Sequence, residues 1–178
     1  MTSCIFLTYS GVKWHKVEKN GKIKMAMFRG LNSVSLDAKG RITMPVDYRA
    51  KLQDEGNGHI VITIDTEERC LLLYPLLVWE EIEKKISELP TFNKITRRIQ
   101  RLVVGHATGV ELDGSGRFLV PPLLREYAKL DKCVMLVGQG KKIEIWNEDL
   151  WTGGRDIWLS EGLYKESSVP PELQSLVL

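Results

Sequence analysis

The segment Ser35-Leu36-Asp37-Ala38-Lys39-Gly40-Arg41-Ile42-Thr43-Met44-Pro45 returns 76 positions later as Glu111-Leu112-Asp113-Gly114-Ser115-Gly116-Arg117-Phe118-Leu119-Val120-Pro121. Both copies place leucine before aspartate, glycine before arginine, proline four residues after that arginine, and a further arginine (Arg49, Arg125) eight after it. So many matched offsets mark an internal duplication. A function built on it should profit from two similar charged turns.

Each copy reads as a ββαββ unit. In the first, Leu31 to Leu36 alternates as a strand, Asp37 to Gly40 has turn chemistry and Arg41 to Met44 resumes the extended pattern, which predicts a β-hairpin. Pro45 starts a short helix over Val46 to Asp54, because its missing N–H lies where a first helical turn leaves donors unpaired anyway. A second hairpin follows, His59 to Ile64 and Cys70 to Tyr74 around the polar turn Asp65 to Arg69. The second copy repeats the order: strands near Gly109 to Leu112 and Arg117 to Val120, a helix after Pro121-Pro122, then Val134 to Val137 and Ile143 to Trp146 around a tighter loop. That shortening drops the offset to 72, which aligns Trp79 with Trp151.

The spacing therefore predicts a mixed α+β, β-rich fold: two tandem units, 31–77 and 106–149, in one compact pseudo-two-fold domain with additional helices after each unit. A connector, 78–105, holds helices Pro75 to Leu89 and Thr91 to Val103 split by Pro90. In the second, Ile95, Ile99, Leu102 and Val103 form an apolar stripe, and Lys94, Arg97, Arg98 and Arg101 a basic one. Such a charged stripe is expected to be solvated or paired with Glu80, Glu81 and Glu83. Segment 150–178 reads as a helix, weakened by Gly153-Gly154, and a loosely held tail. Residues 1–26 stand outside the repeat and read as an appended extension, consistent with a start upstream of Met27.

Charge excludes little: 25 basic and 23 acidic residues leave a net +2, so local placement must decide what partner fits. Cys4, Cys70 and Cys133 lack the close pairs of a zinc site or disulfide framework and suit a reducing compartment; Cys70 and Cys133, in apolar runs, read as small buried hydrophobes. No apolar run is long enough for a membrane helix.

The turns admit two readings. Aspartate can bond the backbone of its own turn, glycine can take positive φ, and arginine can pair with the aspartate across the hairpin neck, which is a purely structural role. Lys39 and Arg41, with Arg29 upstream, add positive charge that this role does not require. A two-stranded ribbon fits a DNA major groove, where arginine can donate two hydrogen bonds to guanine while lysine and backbone N–H groups hold phosphates. The second turn keeps Arg117 but has Ser115 in place of lysine, so the first is expected to be the stronger reader.

At Met27-Phe28-Arg29-Gly30, at Leu36-Asp37-Ala38-Lys39-Gly40-Arg41 with Pro45, and at Leu112-Asp113-Gly114-Ser115-Gly116-Arg117 with Pro121, the chain resembles the MraZ family of bacterial transcriptional regulators. That family is similar to a tandem fusion of two AbrB-type swapped-hairpin units, and the resemblance covers about residues 27 to 165. It implies a double-stranded DNA-binding protein of the bacterial cytoplasm and nucleoid, usually a repressor, that recognises direct repeats upstream of its own cell-division and cell-wall operon and assembles as a ring of identical subunits. Carried over by motif, the DNA-binding residues are Arg29, Lys39, Arg41 and Arg117, and the turn supports are Asp37, Gly40, Asp113 and Gly116. No cofactor, metal, membrane or small-molecule partner is implied.

Two rivals remain open at this stage. One is an oligomeric interaction protein or antitoxin without sequence-specific DNA binding, although only a short tail, with Leu173, Leu176 and Val177, could serve as a partner-binding segment. The other is an enzyme, but His15, His59 and His106 are scattered and no nucleophile–base arrangement or phosphate loop is recognisable, so no catalytic residue is assigned. Trp79, Trp146, Trp151 and Trp158 read as core or interface anchors, since two of them repeat with the fold.

Overall fold

The computed structural model describes residues 27–161. The extension 1–26 and the end of the tail, including Pro170-Pro171, Leu173, Leu176 and Val177, lie outside the described residues. The fold is mixed α and β and rich in strand. Unit 1 supplies β1 (Phe28–Ser35), β2 (Arg41–Thr43), α1 (Val46–Gly56), β3 (His59–Ile64) and β4 (Leu71–Pro75). The connector forms α2 (Leu76–Ser87) and α3 (Lys94–Ile99), which runs on into a π-helical turn, Gln100–Val104. Unit 2 supplies β5 (Thr108–Glu111), β6 (Arg117–Leu119), α4 (Pro122–Tyr127), β7 (Cys133–Gly140) and β8 (Lys142–Asn147), and α5 (Glu148–Glu161) follows.

The strands pair across the repeat as well as within it. A six-stranded antiparallel sheet runs β1-β7-β8-β4-β3-β5, so the first strand of each unit lies against the other unit: β1 on β7, β5 on β3. The remaining short strands, β2 and β6, pair with each other as a separate two-stranded ribbon. The hairpin expected from Leu31–Leu36 and Arg41–Met44 is consequently closed only at its neck, by a single bridge between Leu36 and Ile42. Beyond it the two arms part, because each finds its longer partner in the other copy.

Pairing of this kind needs a shared core. Ile42 and Phe118, opposite one another in the β2–β6 ribbon, are fully buried together with Met44, Leu52, Ile62, Leu73, Val120, Leu124, Leu136 and Ile145 from both units. A smaller cluster on the other face joins Cys70, Leu72, Val137 and Trp146, and Trp146, Trp151 and Trp158 pack edge to face at 5.6–6.0 Å between centroids. Tyr74 at the end of unit 1 and Trp79 on α2 make a tilted aromatic contact at 5.9 Å.

Two local expectations need correction. The expected helix after unit 2 runs unbroken through Gly153-Gly154; a Cβ at Gly154 would press on the Trp158 ring, so the missing side chain makes room for the indole. Ile95, expected on an apolar stripe, is 67% exposed, because Thr96 takes the inward position on a short α3 capped by the Asn93 side chain. Cys133 is exposed at the first residue of β7, whereas Cys70 is buried as expected.

Candidate functional site

Both Asp-x-x-x-Arg turns fold bond for bond alike. Asp37 Oδ1 accepts from the backbone N–H groups of Lys39 and Arg41, both at 2.9 Å, and Asp113 Oδ1 accepts from Ser115 and Arg117 at the same distance. The second carboxylate oxygen takes the arginine Nε, at 2.8 Å for Arg41 and 2.9 Å for Arg117. Gly40 and Gly116 close the loops at φ +80 and +73, a region that residues bearing a Cβ rarely enter. The structural role of these residues is therefore real.

Those contacts keep the aspartates charged. The Arg41 backbone N–H first, then its guanidinium, holds the Asp37 carboxyl below its ordinary range, and the Arg117 backbone N–H does the same for Asp113, with burial opposing in both. A depressed folded-state pKa means that each clasp is intact at neutral pH and is lost only as pH falls through that lowered value.

The clasp also leaves part of each arginine open. Among the described residues Arg41 meets Asp37 through Nε and Nη2, and Nη1 has no protein partner. Strand alternation then sets the direction of the two side chains. Ile42 and Phe118 point into the core, so Arg41, Thr43, Arg117 and Leu119 share the outward face of the ribbon. Arg41 stands opposite Leu119 and Arg117 opposite Thr43, which puts the two arginine Cα atoms about 8 Å apart across one pair of strands. One small surface carries two arginines from two units, and Lys39 in the adjoining turn.

The MraZ family model, described as "MraZ protein, putative antitoxin-like", matches residues 27–102 and 103–153, and so accounts for both turns. The chain belongs to the MraZ family. Similar proteins named "Transcriptional regulator MraZ" include those of Coxiella burnetii (57% identical), Pseudomonas syringae pv. syringae (53%) and Legionella pneumophila (49%). Each aligns over 152 residues, 85% of this chain and 100% of the relative.

Not every expected residue joins the surface of this MraZ chain. Arg29 is exposed near the start of β1, six strand residues before Ser35 and so about 20 Å along the strand from the first turn. Its backbone carbonyl accepts from Tyr48 Oη at 2.8 Å. Positive charge is thus not concentrated there as the sequence suggested. The basic stripe is a separate open groove lined by Lys94, Arg97, Arg98, Arg101 and Leu102. Among the described residues none of these cations pairs with Glu80, Glu81 or Glu83, and Arg97 instead donates to the Thr91 and Phe92 carbonyls.

Sequence reasoning recorded Arg49 and Arg125 as repeated positions but gave them no role. Their guanidinium groups lie over the turn glycines, Arg125 at Gly40 and Arg49 at Gly116, so closely that a Cβ on either glycine would overlap them. Only the shared offset of eight residues could have pointed to them.

Asp65, Cys70 and Glu144 bring donor atoms near one another, yet the set suits a metal poorly. Both Glu144 oxygens are already engaged, by Lys142 Nζ at 3.0 Å and Trp146 Nε1 at 2.9 Å, and burial pushes the Cys70 thiol far up and away from the thiolate a metal requires.

Proposed function

We propose that this chain is a sequence-specific double-stranded DNA-binding transcriptional regulator, a repressor acting on direct repeats upstream of its own cell-division and cell-wall operon. It works in the cytoplasm at the nucleoid and assembles as a ring of identical subunits. The single observation that carries this reading is the outward ribbon face, where Arg41 and Arg117 are held at matched turns with guanidinium N–H groups to spare. A two-stranded ribbon fits the major groove, and an arginine with free donors there can read guanine O6 and N7. Lys39 and the turn backbone hold phosphates. The names of the relatives favour the same reading.

The architecture behind it is a tandem pair of AbrB-like swapped-hairpin units, 31–77 and 106–149, joined by 78–105 and followed by 150–178. The cross-pairing of β1 with β7, β5 with β3 and β2 with β6 supports that arrangement. Arg29, about 20 Å along β1 from the first turn, contributes a peripheral phosphate contact.

A ring presents the same face repeatedly in one sense of rotation, which suits direct repeats, and linking modest contacts strengthens binding by roughly a hundredfold or more when spacing fits. Inserting about 5 base pairs, half a helical turn, between two repeats is therefore expected to weaken binding by at least roughly tenfold in a fluorescence-anisotropy titration. Unchanged affinity would rule out simultaneous engagement by linked subunits.

A further inference from the structure

Each turn is supported by the opposite unit. The Gly40 carbonyl accepts from the Val120 N–H at 2.9 Å, and the Gly116 carbonyl accepts from the Met44 N–H at 2.8 Å. The arginines continue the exchange: Arg125, on unit 2, lies over Gly40 of the first turn, and Arg49, on unit 1, over Gly116 of the second. Arg49 also ties itself to unit 1 by donating Nη2 to the Met44 carbonyl at 3.1 Å. In both arginines Nε is buried without a hydrogen-bond partner. An unsatisfied buried donor is costly, and finding it twice at equivalent positions calls for a compensating role.

That role follows from shape. A flat guanidinium can lie against a glycine turn because no Cβ intervenes, and a flexible ammonium has no such face. We propose that Arg49 and Arg125 are positioning residues acting crosswise: Arg125 holds the turn of Lys39 and Arg41, and Arg49 holds the turn of Arg117. Each reading turn is thereby held by the opposite unit, through a contact separate from the one that holds the other turn. This deepens the DNA-binding reading and rests on it for its functional consequence.

Two measurements on the full chain test it. In double-mutant cycles on a duplex carrying the upstream repeats, Arg125→Ala is expected to weaken binding roughly tenfold, with Arg41→Ala/Arg125→Ala within about twofold of Arg41→Ala alone. The Arg41→Ala/Arg49→Ala effects should multiply. Without DNA, amide hydrogen exchange in Arg125→Ala should rise at Lys39, Gly40 and Arg41 and stay low at Ser115, Gly116 and Arg117, with the reverse in Arg49→Ala. Arg125→Lys, a milder change that keeps the charge, should give the same pattern and guards against global unfolding. Exchange rising in an arginine's own unit, or equally in both turns, would overturn crosswise support, as would full multiplication in the Arg41/Arg125 cycle. If the wild type binds no DNA, the regulator reading falls, and the exchange pattern alone still decides whether the arginines act crosswise.

Discussion

Arg41→Ala is expected to lower affinity for the natural upstream duplex by roughly 5- to 150-fold for each engaged subunit, the loss of one bidentate base contact worth about 1–3 kcal/mol. With two linked subunits bound, those factors multiply to at least roughly 30-fold. The fold should survive, because Asp37 still caps the Lys39 and residue-41 backbone N–H groups and Ile42 remains in the core. Arg117→Ala should cost less, since the second turn carries Ser115 where the first carries Lys39. Equilibrium titration beside a thermal melt checks both. Equal losses from the two variants would remove the asymmetry, and no loss from either would remove the turns from DNA recognition altogether.

The largest effect on stability is expected from Phe118→Ala, about 3–5 kcal/mol by denaturant unfolding. Phe118 is 1% exposed and faces Ile42 where β2 of one unit meets β6 of the other. That ribbon has only three residues per strand, too few to be held by its backbone bonds alone, so the apolar contact beneath it is what holds the ribbon together. Ile42→Val, which removes a single methylene, should cost only about 0.5–1.5 kcal/mol. If Phe118→Ala cost no more than Ile42→Val, the ribbon would not depend on the apolar contact beneath it.

Both turns were legible in the sequence because their chemistry is local. An aspartate, a glycine and an arginine within five residues specify a clasp whichever strands flank it. The strand positions were legible for the same reason, since alternation of apolar residues is a property of a short segment. What alternation does not encode is the partner: β1 and β2 read as the arms of one hairpin, whereas each pairs with a strand of the other copy. The roles of Arg49 and Arg125 were hidden likewise, because a contact across units leaves no spacing signal beyond the repeat itself. Arg29 was drawn to the first turn by closeness in sequence, and an extended strand carries it away. Gly153-Gly154 read as weakening a helix that the structure runs straight through them, where the missing side chain of Gly154 makes room for Trp158.

On the proposed function, the ribbon face reads a DNA sequence. The most direct test is the affinity of the wild-type chain for its own upstream duplex against a scrambled duplex of equal length and composition, measured across a salt series. A preference of roughly 10³-fold or more for the natural duplex is expected, with both affinities falling as salt rises because phosphate contacts release counterions. Equal affinity for the two duplexes at every salt concentration would contradict it.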